Sequence, residues 1–117
     1  MIVIATREGL VGGITSTGWK IDTLLPFVAL PSVNALRRFV RVTNPRTQKS
    51  CLAVVMDVGP WNEHDDDYVF KGERPAAESG IDTRGRHTNK AGIDLGEYVW
   101  RALGMEGNTC VAWEFVE

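Results

Sequence analysis

The sequence predicts a mainly β fold, closed as a barrel from two similar halves, and three observations lead to it. Residues 38–43 alternate, with Val40 and Val42 on one face and Phe39, Arg41 and Thr43 on the other, the period of a half-buried strand. Residues 51–58 (CLAVVMDV) form a continuous, valine-rich run of strand length, which reads as a strand buried on both faces. Finally, Ser50-Cys51-Leu52-Ala53-Val54 is echoed in type and order by Thr109-Cys110-Val111-Ala112-Trp113, as in a barrel built from two pseudo-symmetric units. At 117 residues, 44% hydrophobic and 24% charged, the chain suffices for one globular domain over residues 1–117 with a real core.

The remaining elements follow in order. Residues 1–7 read as a first strand, and Met1–Thr6 lacks the basic start and small-residue cleavage site of a signal peptide. Gly9, Gly12, Gly13 and Gly18 then punctuate a polar loop containing Thr15, Ser16 and Thr17. Val28–Pro31 is a short apolar piece, and Ser32 can cap a brief helical turn through Leu36. Asn44-Pro45-Arg46-Thr47 supplies a turn. Residues 62–90 are polar and read as a long excursion, with Tyr68–Phe70 as a strand edge; a loop of this length is usually functional or mobile. Leu95, Tyr98, Val99, Ala102 and Leu103 share a helix face that Gly104 stops, and Thr109–Val116 is the last strand.

Composition narrows the function. A net charge of -2 argues against a general nucleic-acid binder, and no apolar run approaches the roughly 20 residues of a membrane-spanning helix. The charges are segregated: residues 23–56 have no acid and carry Arg37, Arg38, Arg41, Arg46 and Lys49. That pattern reads as solvated surface or as a basic rim for an anionic polymer. His64 with Asp65, Asp66 and Asp67 fits no standard metal-ligand spacing, so no metal or other cofactor is expected. Cys51 and Cys110 read as buried free thiols; joined, they would point to an oxidising compartment.

Two carboxylates stand out. Asp57 lies where the apolar run meets the Gly59-Pro60 break, and Asp94, in Gly92-Ile93-Asp94-Leu95, lies between a loop and the predicted helix. Each has a plain structural alternative. Asp94 stands three residues before Glu97, the spacing of a capping box, and Asp57 is placed to bond loop amides across the Gly59-Pro60 turn.

The ordered series VRVTN (40–44), DVGPW (57–61) and GIDL (92–95), then a helix ending in Leu103-Gly104 and a final strand, resembles the rare lipoprotein A (RlpA)-like family over residues 5–116. The resemblance implies a six-stranded double-psi β-barrel, akin to the expansin and barwin-type barrels, and a groove for peptidoglycan or another glycan polymer. Several RlpA-like proteins are lytic transglycosylases, in which one carboxyl protonates the glycosidic oxygen and then takes the proton of the C6 hydroxyl. By motif, Asp57 and Asp94 become the candidate catalytic residues. Thr15, Trp19, Asp22 and Trp61 become candidate substrate-binding residues, the tryptophans as faces for sugar rings. The resemblance also implies the cell envelope, although the chain itself shows no export signal.

The chain departs from the family pattern in TSTGW (15–19) with Asp22. Trp19 stands where the family has a glutamate, and Phe27 near its histidine. Two polar groups of the groove are therefore expected to be aromatic, which leaves His87 as a replacement histidine from the excursion. A non-catalytic glycan-binding module and a structural or protein-interaction barrel using the acidic loop both stay open beside the enzyme.

Overall fold

Six strands close into a barrel in the computed structural model, which describes residues 1–9 and 12–116. In chain order they are β1 (Ile2–Arg7), β2 (Phe27–Leu30), β3 (Phe39–Asn44), β4 (Lys49–Val58), β5 (Ala91–Leu95) and β6 (Thr109–Val116). Two short helices, α1 (Asp66–Lys71) and α2 (Glu97–Ala102), pack outside. Around the barrel the order is β1-β5-β2-β4-β3-β6. β1 is parallel to β5 and β2 to β4, and the other neighbours are antiparallel. This is the six-stranded double-psi β-barrel expected. The part of the glycine-punctuated loop at Leu10 and Val11 lies outside the described residues.

Exchanging β1 with β4, β2 with β5 and β3 with β6 reproduces every pairing, so the two halves are related as expected. The equivalent positions differ from those the sequence echo suggested. β6 corresponds to β3 rather than to β4, and Cys51 and Cys110 are not counterparts. The echo has another physical source: β4 and β6 are the two neighbours of β3, Val42 facing Cys51 on one side and Trp113 on the other. Both answer the same alternation in that strand. The cysteines are free, as expected, but Cys51 is half-buried and Cys110 exposed rather than buried.

The alternation of β3 holds, with Val40 and Val42 fully buried and Phe39 exposed. β4 is not buried on both faces: Leu52 is 53% exposed while Ala53 and Val55 point inward. Its apolar run covers a barrel wall whose outer face is open at this end. Ser32 caps the short turn Val33–Ala35 by accepting from the Asn34 backbone N–H at 3.1 Å. The predicted helix is shorter than its apolar face implies, because Leu95 belongs to β5.

The excursion is the larger correction. Tyr68–Phe70 is helix, not strand edge: Asp66 and Asp67 occupy the first turn of α1 and Gly72 ends it at φ 76°. Tyr68 is 1% exposed, and its hydroxyl donates to the Gly92 carbonyl at 2.8 Å while accepting from Trp113 Nε1 at 2.7 Å. The excursion is thereby tied to β5 and β6. Of the aspartates beside His64, Asp66 anchors the excursion to the turn after β2, while Asp65 and Asp67 make contacts within it. Asp65 accepts from the Ala76 backbone N–H at 2.8 Å, Asp66 from the Ser32 hydroxyl and from Asn34 Nδ2 at 2.9 Å, and Asp67 pairs with Lys71 at 3.2 Å.

Replacing Tyr68 by Phe keeps the ring but strands two buried groups, the Trp113 indole N–H and the Gly92 carbonyl. It should cost about 1–3 kcal/mol, read as a lowered urea midpoint with unchanged slope.

Candidate functional site

Strand register brings the two aspartates to the same rim. Ala29 of β2 pairs with Asp57 of β4 on one side and with Asp94 of β5 on the other. Three strands abreast set their Cα atoms about 10 Å apart. Asp94 alternates with Ile93 and Leu95, both fully buried, so the two-residue period turns its carboxyl outward. Thr6 of β1, paired with Asp94, donates its hydroxyl to Asp94 Oδ1. Burial raises the Asp94 pKa to about 6, helped by the charge on Asp57 and opposed by the Thr6 hydrogen bond.

Asp57 has the opposite environment. Burial disfavours its charge, but hydrogen bonds from Glu8, Ser16 and the Val58 backbone outweigh this and hold it below the usual carboxylate range. Asp57 Oδ1 accepts from the Ser16 backbone N–H at 3.1 Å, from the Ser16 hydroxyl, and from the Val58 N–H at 2.9 Å. The polar loop after β1 is thus pinned across the end of β4.

The third member is Glu8, which sequence reasoning missed. It follows β1 directly, and its backbone N–H donates to the Leu95 carbonyl at 2.8 Å, which draws it to the aspartates. Its Oε2 is buried and, were Glu8 ionised, would have no partner among the described residues. Protonated, Glu8 donates to Asp57 instead. Burial, that hydrogen bond and the charges of Asp57 and Asp94 push its pKa up to about 9. The available signal was an acid directly after an apolar first strand.

Neither structural alternative for the aspartates holds in the form foreseen. Asp94 lies within β5, and α2 starts at Glu97 with Gly96 at the N-cap position and no side-chain cap. Glu97 instead holds Arg7 in a bidentate pair at 2.6 and 2.8 Å and Arg101 at 3.0 Å. Asp57 does bond loop amides, but those of Ser16 rather than any across Gly59-Pro60.

The other candidates separate. Thr15 is buried; its hydroxyl lies 2.9 Å from that of Thr17 and accepts from the Trp19 N–H at 3.1 Å, so it shapes the turn that presents Ser16. Asp22 accepts from the N–H groups of Leu24 and Leu25 at 2.8 and 2.9 Å. With Trp19, which is 56% exposed, it lines a depression beside Pro26. Phe27 is not a groove aromatic: it is fully buried against Gly96, where an added Cβ would meet its ring at 2.4 Å. His87 sits on an exposed turn, its backbone bridged to Ile81.

Trp61 follows the Gly59-Pro60 break beyond the end of β4. Its backbone is left-handed, φ 69°, and the preceding Gly59–Pro60 peptide is cis. Its Nε1 donates to Asn89 Oδ1 at 2.9 Å, and the Arg86 guanidinium lies 5.7 Å from its ring centroid and donates to its carbonyl at 3.0 Å. Two cavities meet at Trp61. One, of about 250 Å³, runs from Val58 and Gly59 to Arg84 and Arg86; the other, of about 370 Å³, continues past His64 to Ala76 and Thr83. Neither is lined by any of the three carboxyls; the smaller is lined by Gly59, where an added Cβ would lie 3.8 Å from Asp94 Oδ2. The cations of this wall are Arg84 and Arg86 rather than the basic stretch around β3, where Arg38, just before the strand, lies 4.0 Å over the Phe115 ring.

The family model described as domain of unknown function (DUF8814) matches residues 1–114. The chain belongs to that family. No curated protein matches it. Among solved structures it is similar to cerato-platanin 3 from M. perniciosa, with a TM-score of 0.58 and 11% identity over 100% of this chain and 95% of that one. At this identity the likeness concerns the fold, a double-psi β-barrel in the broad sense. The narrower tie to RlpA-like proteins rests on the sequence motifs.

Glu8 makes stability depend on pH. The folded chain keeps its proton up to about 9, whereas the unfolded chain releases it near 4.5. Between these values the folded state binds more protons, so this group's contribution to stability declines as pH rises. Glu8→Gln, neutral throughout, should raise Tm by about 5 °C at pH 8 and leave it nearly unchanged at pH 4, as calorimetry at both pH values would show.

Proposed function

We propose that this barrel binds a cell-wall glycan along the line from Asp94 past Gly59 to Trp61, and that Asp94 is the acid of a lytic transglycosylase. The observation that carries the reading is a half-buried carboxyl, its pKa pushed up to about 6 by burial, that stands beside a second carboxylate held ionised and close to Gly59, itself on a cavity wall. Asp94 in its acid form gives its proton to the glycosidic oxygen as the C1–O bond breaks. As carboxylate it then takes the proton of the C6 hydroxyl as that oxygen bonds C1, closing a 1,6-anhydro ring without water. One carboxyl serves both steps, and its raised pKa suits the exchange. Asp57, its Oδ1 engaged by three donors, keeps its charge and disfavours ionisation of Asp94. The sequence motifs shared with RlpA-like proteins supply the substrate class.

A binding module without chemistry is the second reading. It is favoured by Thr6, whose hydroxyl already engages Asp94 Oδ1, and by the outward indole of Trp19.

Incubation with peptidoglycan, intact and stripped of stem peptides, followed by mass spectrometry separates the two. Anhydro-muramyl products are expected from the wild type, reduced at least about 100-fold in Asp94→Asn. The rate should fall as pH rises past about 6, where Asp94 loses its proton. Asp57→Asn removes a neighbouring negative charge and should move that limb to lower pH. Glycan binding without products from any substrate would leave the binding module.

A further inference from the structure

The wall beyond Trp61 holds a polar group that neither the barrel nor the carboxyl cluster uses. Asn62 is 3% exposed and contributes to both cavities. Its Oδ1 accepts from the Thr83 backbone N–H at 3.1 Å, which fixes the orientation of the amide and makes Nδ2 the free end. That donor is buried and, among the described residues, has no hydrogen-bond partner. Buried donors in native proteins are nearly always satisfied, so an unpartnered one in a residue that lines two cavities points to an acceptor supplied from outside.

The surroundings define the acceptor. The cavity of about 370 Å³ has the Trp61 indole and Ala76 as apolar surface, and His64 and Arg84 as further donors. Glu63 and Asp65 stand on the same wall and oppose an anionic guest. A neutral acceptor attached to a small apolar group satisfies all of these at once.

We infer that this cavity is an acyl-amide subsite, in which Asn62 Nδ2 donates to the carbonyl of an N-acyl group on a sugar ring while its methyl lies against Trp61 and Ala76. The inference rests on the glycan reading above and adds the feature that would make the groove select an N-acylated amino sugar over a plain glucan. Continuity supports it: Trp61, Asn62, Glu63 and Arg84 line both cavities, and the smaller one extends to Gly59, where an added Cβ would lie 3.8 Å from Asp94 Oδ2. A chain lying on Asp94 would thus carry its acyl substituents past Asn62.

Calorimetric titration of the full chain with the β-1,4-linked hexamer of N-acetylglucosamine and with cellohexaose tests this, since the two share a backbone and differ in the acetamido group. The acetylated hexamer should bind at least about tenfold more tightly. Asn62→Asp keeps the acceptor for Thr83 but replaces the donor by an acceptor, so at pH 7.5 it should abolish the preference. A Tm close to wild type would show that the wall is intact. Equal affinity for the two hexamers, or a preference that survives in a folded Asn62→Asp, overturns the acyl subsite and leaves glycan binding standing. Failure to bind either hexamer overturns both.

Discussion

Closure of the barrel is the constraint from which the rest follows. With no free edge, each strand has hydrogen-bonding neighbours on both sides, and a one-residue slip in any of them would turn a buried face outward. Val28, Leu30, Val55, Ile93 and Leu95, all fully buried, lock the registers of β2, β4 and β5. Asp57 and Asp94 are carried to either side of Ala29 as a by-product of packing those five side chains. Residues paired across strands point to the same face. Ala29, 1% exposed, therefore makes the ground between the two carboxyls apolar, which strengthens each charge's influence on the other.

Three acids gathered at one rim cannot all be ionised cheaply, and their environments sort them. Asp57 receives the donors, Glu8 receives the burial and the proton, and Asp94 falls between, with one hydroxyl partner and partial cover. The spread in proton affinity follows burial first and then the hydrogen-bond donors each carboxyl can reach. Ser16 contributes to this after Glu8: its N–H and hydroxyl are among the contacts that let Asp57 stay charged beside the other two.

Much of the architecture was legible in the chain. The alternation at Val40 and Val42, the valine-rich run ending at Asp57, and the strand from Thr109 to Val116 are local signals, and local signals survive folding. What escaped depends on partners far away in sequence. Tyr68 looked like a strand residue because its neighbours are apolar; its actual role is set by Gly92 and Trp113. Asp94 and Glu97 had capping-box spacing, yet Thr6 and Arg7 on β1 claimed the two side chains. Glu8 was invisible for the same reason, since its significance comes from the parallel pairing of β1 with β5, which brings it to Leu95. Thr15 was chosen where its neighbour Ser16 makes the contact, a one-residue error that turn geometry decides and composition does not.

The immobilisation of Trp61 has a consequence for recognition. Its indole nitrogen is held by Asn89, its carbonyl by Arg86, and Arg86 is itself held by Asp82, whose carboxylate accepts Arg86 Nε at 2.5 Å and the backbone amides of Arg84 and Arg86 at 2.9 and 2.8 Å. A ligand meeting this wall finds an aromatic plane already set, so it forfeits little conformational entropy to organise the surface it lands on. Under the proposed glycan reading, selectivity would then arise from shape and donor placement at a rigid template rather than from a loop that moulds itself to whatever arrives.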